Sequence, residues 1–142
     1  MVKRYAFERD SEDELIIVKS FVNGKGVNLI LDSGASHSVI DFSILIEKGF
    51  RLGDTIGIVP ISTANGIILA NRFIVSEFSA LGITKYNFEI TSYINDDPEK
   101  TFEGILGLDF LEGTKFCIDL VEKEITINIK LKTKNGKKKA GK

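Results

Sequence analysis

Residues 29–40 read LILDSGASHSVI. An apolar run ends in one acid, Asp32. Four small residues follow, Ser33, Gly34, Ala35 and Ser36, and soon after them the chain turns apolar again. A strand buried on both faces reads as a continuous apolar run, and VNLIL (27–31) comes close to that pattern. An ionised aspartate at the end of such a strand is costly to desolvate unless it is paired or hydrogen-bonded. Gly34 admits backbone angles closed to other residues and lets a second chain approach closely. Ser33 offers a hydroxyl to brace the loop, and Ala35 leaves room. The turn can therefore hold a carboxylate open to a ligand. It can equally be an Asx-type turn in which Asp32 caps backbone amides. A phosphorylation-dependent D-S-G-x-x-S signal is excluded, because its last position is His37.

The rest of the composition narrows the chemistry. The chain has 142 residues, 43% hydrophobic and 27% charged, which suits one globular domain with a real core. No apolar stretch approaches the roughly 18–20 residues a membrane helix needs. The start, MVKRYAFERDSEDEL, lacks the apolar segment of a secretory signal, so a cytoplasmic location is expected. Cys117 is the sole cysteine and His37 the sole histidine, which leaves no Cys/His metal cluster. Neither metal nor cofactor is expected. A Ser-His-Asp arrangement would rest on His37, which shares a turn with its candidate serines. Base and nucleophile normally converge from separate segments.

The net charge of −1 conceals an asymmetry. KLKTKNGKKKAGK (130–142) holds seven lysines and no acid. Without it the chain keeps twelve basic against 20 acidic residues, a body of about −8. The tail reads as a solvated, disordered end. It lacks the interleaved aromatics of a nucleic-acid surface, so nucleic acid is not an expected partner.

Period-2 alternation and β-branched residues dominate the pattern. ELIIVKSFV (14–22) and VNLILD (27–32) flank NGKG and predict a hairpin. A short helix is predicted over 42–48, ended by Gly49. IGIVPIST (56–63) and IILANRFIVSEF (67–78) flank Asn65-Gly66, a strong hairpin signal. Pro60 marks the incoming strand as an edge or a bulge. ITKYNFEITSYI (83–94) is a further strand, NDDPEKTFEG (95–104) a polar loop, and ILGLDFLEG (105–113) an apolar strand leading into a single helical turn. TKFCIDL and EITINIKL flank VEKE as a last hairpin. Phe50, Phe73, Phe78, Phe88 and Phe110 are expected in the core, Cys117 on a core or strand face, and His37 on a loop.

Four of these elements together resemble the retropepsin-like aspartic proteases, the retroviral and retrotransposon enzymes and their cellular relatives. They are LILDSGASHSVI for the catalytic loop, ISTANGIIL for the flap, GILGLDFL for the apolar-apolar-Gly segment with its short helix, and FCIDLVEKEITI for the closing hairpin. The resemblance spans about residues 12–131. It implies an all-β fold, a small closed barrel with a flap hairpin and one or two short helices. It divides the chain into an N-terminal extension (1–13), a protease domain (14–131) and a lysine-rich tail (132–142).

The resemblance also implies a peptide or protein substrate and a homodimer, each chain supplying one catalytic aspartate. The sequence carries one D-S-G. LDF (108–110) and IDL (118–120) lack the following glycine. Asp32 would be catalytic, Ser33 would brace the paired loops and Gly34 would face substrate beside Ala35. Asn65 and Gly66 would form the flap tip, and Ile105, Leu106 and Gly107 would pack beneath the loop. ITINIKL would contribute to the dimer sheet, as the terminal strands do in the viral enzymes. A catalytically silent peptide-binding or scaffolding homodimer of the same fold is the alternative.

Overall fold

The computed structural model describes residues 2–9, 11, 14–94 and 103–129. Among the described residues the alternating pattern becomes ten strands and two short α-helices. In order these are β1 (Val2–Ala6), β2 (Ile17–Val22), β3 (Lys25–Leu31), β4 (Val39–Asp41), α1 (Phe42–Glu47), β5 (Gly57–Thr63), β6 (Gly66–Ala80), β7 (Ile83–Tyr93), β8 (Gly104–Leu106), α2 (Leu108–Leu111), β9 (Thr114–Asp119) and β10 (Glu124–Ile129). Of the expected polar loop (95–104), residues 95–102 lie outside the described residues, as does the lysine tail, while Gly104 already begins β8.

Six strands close on themselves. The order β2-β3-β8-β4-β7-β6 returns to β2 through Ser20↔Ala80, Phe21↔Ser79 and Val22↔Phe78. Closure removes the exposed edges that a sheet would otherwise present. The expected closed barrel is thus present. Leu29, Ile40, Phe73, Phe78, Ile90, Leu106 and Phe110 fill it, all fully enclosed. Phe78, Phe88 and Phe110 stack or meet edge-on with ring centres 5.2–5.8 Å apart. Phe50 and Phe88 reach the core from partly buried positions. Cys117 is exposed on β9, not packed inside.

Helix α1 is nearly the helix the sequence predicts. The Asp41 carboxylate caps it by accepting from the Ser43 amide. At its end Gly49 takes φ +101. Its N–H donates to the Ile46 carbonyl and that of Phe50 to the Leu45 carbonyl, the paired bonds of a glycine C-cap.

The first hairpin turns at Asn23 and Gly24, both with positive φ. The second is the longest. Among the described residues β5 pairs only with β6, from Gly57↔Arg72 to Thr63↔Gly66, so Pro60 sits on an edge strand as expected. β7 picks up β6 from Asn71 onward, so the hairpin runs past the barrel to its tip. The two-residue loop is Ala64-Asn65, one residue earlier than the Asn-Gly signal suggests. The positive φ falls on Gly66, at +117.

A second sheet, β1-β10-β9, joins both ends of the described chain. Residues 2–7, expected as part of an extension, are built into the body. β1 pairs with β10 from Val2↔Asn128 to Ala6↔Glu124, and Phe7 is buried. No helix among the described residues is long and apolar enough to cross a membrane.

Strand β8 wedges between β3 and β4, parallel to one and antiparallel to the other. A side chain on Gly104 would overlap the Val39 carbonyl and meet Leu29 and the Ile40 backbone. None of these can swing away cheaply. Gly104→Ala is expected to lower unfolding free energy by about 2–3 kcal/mol, read from urea denaturation, because the strands would have to part.

Candidate active site

Because β8 separates β3 from β4, the chain must arch over its end to get from one to the other. That arch is residues 32–38. Its feet are pinned by backbone bonds. The Asp32 N–H donates to the Leu106 carbonyl at 3.0 Å, and the Leu108 N–H to the Ala35 carbonyl at 2.8 Å. The Ala35 N–H closes the turn onto the Asp32 carbonyl. One oxygen of the Asp32 carboxylate accepts from the Gly34 N–H at 2.8 Å. This is the Asx-type contact. It holds the carboxyl in one orientation without burying it, since Asp32 stays partly exposed.

The arch has a second anchor, which the sequence reading passed over. The Asp109 carboxylate accepts from the Ser38 N–H with both oxygens, at 2.9 and 3.0 Å, and from the Ser38 hydroxyl at 2.7 Å. It also accepts from the Phe110 N–H. The Ser38 hydroxyl in turn accepts from the Gly107 N–H at 2.9 Å. A carboxylate that collects several donors in a part-buried site makes strong, charge-assisted bonds. Phe110, packed among Phe78 and Phe88, sets the angle at which α2 presents Asp109. Gly107 must be glycine for lack of space. A Cβ there would come within 2.7 Å of the Ala35 carbonyl and 2.9 Å of the His37 backbone.

Behind this anchor sits Lys85. Its ammonium donates to the Asp109 carbonyl at 3.3 Å and lies 5.1 Å from the Phe110 ring centre. Partial burial holds it below the ordinary lysine range, against the opposing pull of Asp109 and Glu112.

A cleft of about 730 Å³ opens in front of Asp32. Gly34, Ala35, Ser36, His37, Val39, Tyr93 and Ile105 line it from the barrel, and Pro60, Ile61, Ser62 and Ala64 from the long hairpin. Its walls mix the apolar Val39, Pro60, Ile61 and Ile105 with the polar Ser36, His37, Ser62 and Tyr93 around one fixed carboxylate. The cleft brings together Asp32, Gly34, Ala35 and Ile105 from the expected set. Ser33 lies exposed on the arch, Asn65 and Gly66 are exposed at the hairpin tip, and none of the three lines the cleft. Leu106 is fully buried beneath the arch and Gly107 touches it, so both take supporting positions. Among the described residues no three His, Cys, Asp or Glu converge as metal ligands.

Ser38 and Asp109 carried a faint signal. The LDF segment (108–110) lacks the glycine that follows the acid in D-S-G, which argues against a catalytic acid at Asp109. Its place two residues after Gly107, at the start of a short helix, was the clue to a structural role.

Residues 18–110 match the aspartyl protease family. The chain belongs to that family. The fold agrees. A retropepsin-like aspartic protease from Rickettsia conorii superposes with a TM-score of 0.70 over 91% of this chain and 92% of that one, at 23% identity. No curated protein sequence matches.

Removing the second anchor should loosen the arch without touching Asp32. Asp109→Ala is expected to cost about 2–4 kcal/mol of stability, since several donors lose a charged acceptor at once. Ser38→Ala should cost about 1–2 kcal/mol, because the backbone bond to Asp109 survives. Chemical denaturation checks both.

Proposed function

We propose that the protein is an aspartic endopeptidase that works as a homodimer, with Asp32 and its symmetry mate forming one catalytic pair. The observation that carries this reading is the Asp32 carboxyl. It is oriented by Gly34, partly exposed, and among the described residues is the one carboxylate lining a cleft whose other described walls are uncharged apart from His37. A lone carboxylate is half of the acid–base chemistry that peptide hydrolysis needs. The chain has no second Asp-Ser-Gly to supply the other half.

Two carboxylates brought within a few ångströms share one proton and titrate as a coupled unit. The ionised member takes a proton from a water molecule, whose oxygen attacks the scissile carbonyl carbon. The protonated member donates to the carbonyl oxygen. The tetrahedral intermediate then collapses: the leaving nitrogen takes a proton from the protonated member, one hydroxyl gives its proton to the ionised member, and the C–N bond breaks to leave a carboxylic acid and an amine. The two arches would meet through Ser33, with Gly34 offering its backbone to the peptide. The long hairpin would serve as a flap, its tip at Ala64, Asn65 and Gly66 closing over substrate to exclude water. The lone exposed Cys117 fits work in a reducing compartment.

The test is cleavage of an unstructured polypeptide between pH 4 and 7, with Asp32→Asn beside the wild type. The variant is expected to lose activity by about 10²–10⁴-fold, the usual contribution of a positioned acid–base group. Equal cleavage by the variant, or none by either protein at any pH, would sink the reading.

A further inference from the structure

We propose that Asn65, at the tip of the long hairpin, is a site of spontaneous amide-to-acid modification, while the other described Asn-Gly pair, Asn23-Gly24, is protected by the fold. The reaction needs no partner and no catalysis, so it is independent of the protease reading.

Asparagine followed by glycine is open to this chemistry because glycine has no side chain to shield its own amide nitrogen. That nitrogen attacks the asparagine Cγ, and the new N–C bond closes a five-membered ring. The side-chain nitrogen leaves as ammonia, taking up the proton that the backbone nitrogen gives away. Water then opens the ring at one of its two carbonyls. Opening at Cγ leaves aspartate. Opening at the main-chain carbonyl leaves isoaspartate, with the backbone routed through the side chain. Water is consumed, ammonia is released, and nothing is oxidised or reduced.

The sequence carries this pair at 23–24, 65–66 and 135–136, the last outside the described residues. Asn23 and Asn65 are both exposed, so exposure does not separate them. They differ in what must open before the nitrogen can reach Cγ. The Asn23 Oδ1 accepts from the Ser76 hydroxyl at 2.8 Å and from the Glu77 N–H at 3.0 Å. The Asn23 N–H donates to the Glu77 carbonyl at 2.8 Å. These bonds cross to β6 next to Val22↔Phe78, one of the rungs that close the barrel. Turning the Asn23 Cγ toward Gly24 therefore means breaking side-chain bonds at the barrel seam.

At Asn65 the attacking nitrogen belongs to Gly66, and Thr63↔Gly66 is the last rung of its ladder. Between Asn71 and the tip, β7 does not back β6, and among the described residues the two strands of the ribbon pair only with each other. The end rung of such a ribbon opens at far lower cost than a barrel seam. Gly66 sits at φ +117, a conformation that favours glycine, so the turn geometry itself keeps the susceptible pair in place. Either product puts a carboxylate next to Ala64, which lines the cleft from the hairpin side. Isoaspartate also lengthens the backbone between Asn65 and Gly66, which displaces the rung to Thr63.

The test holds the full chain for days in mildly alkaline buffer, folded and in concentrated guanidinium chloride. Peptide mapping by mass spectrometry locates each amide-to-acid change, and labelling with an isoaspartyl methyltransferase identifies the linkage. In the folded chain Asn65 should convert about tenfold faster than Asn23, or more, since only Asn23 must break bonds at the seam. In denaturant the two rates should converge. Ser76→Ala removes one hold on Asn23 and should speed its conversion about twofold or more, with the Asn65 rate unchanged. Equal rates in the folded chain, or a difference that persists in denaturant, would overturn the proposal. An Asn23 that converts no faster in Ser76→Ala would overturn the protection assigned to it.

Discussion

The Asp109 carboxylate and the Ser38 backbone it grips are what the arrangement around Asp32 depends on. An arch of seven residues, four of them serine or glycine, has little side-chain packing of its own to hold it in shape. Its order comes from below. Asp109 gathers the Ser38 amide and hydroxyl, Gly107 donates to that hydroxyl, and Leu106 and Leu108 tie the arch by backbone bonds. All four residues are consecutive in sequence. One short segment, entering between β3 and β4, therefore fixes the position of a carboxylate about seventy residues away. Lys85, packed behind Asp109 against Phe110, adds a positive charge on the far side of the same helix.

Barrel closure and cleft formation are linked through the same strands. β8 completes the ring between β3 and β4, and its Ile105 is also a cleft wall. β6 closes the ring on β2 with one end and carries the long hairpin with the other. A rigid barrel thus holds one wall of the cleft. The opposite wall hangs on a two-stranded ribbon with fewer buried contacts. That division keeps the carboxylate on the rigid side and leaves the opposite wall on the freer ribbon.

Much of the fold was legible in residue order. The hairpin at Asn23-Gly24, the helix from Asp41 to Gly49 and the apolar-apolar-Gly run each obey local rules that act over a few residues. The misplacements are also informative. The loop at the hairpin tip is Ala64-Asn65, because strand register chose which residue took the positive φ, and it fell on Gly66. Cys117 reads as a strand residue with a face to bury, but β9 lies at a sheet edge where no element covers it. Residues 2–7 read as part of an N-terminal extension. Their pairing partner, β10, is more than a hundred residues away, and no local pattern announces it.

By itself the sequence determined the kind of chemistry on offer. It holds one Asp-Ser-Gly, a single histidine, a single cysteine and no second acid in the same motif. It also determined the alternation that makes the chain a barrel. The tertiary structure decided what holds the acid in place and what surrounds it. Ser38 meets Asp109 across 71 residues of chain, and the two walls of the cleft come from segments far apart in sequence that meet through the sheet order β3-β8-β4-β7-β6-β5. Hydrophobic periodicity reports which face of a strand is buried. It carries no information on which strand lies next to which. That is settled by how the whole set of apolar faces can be enclosed at once.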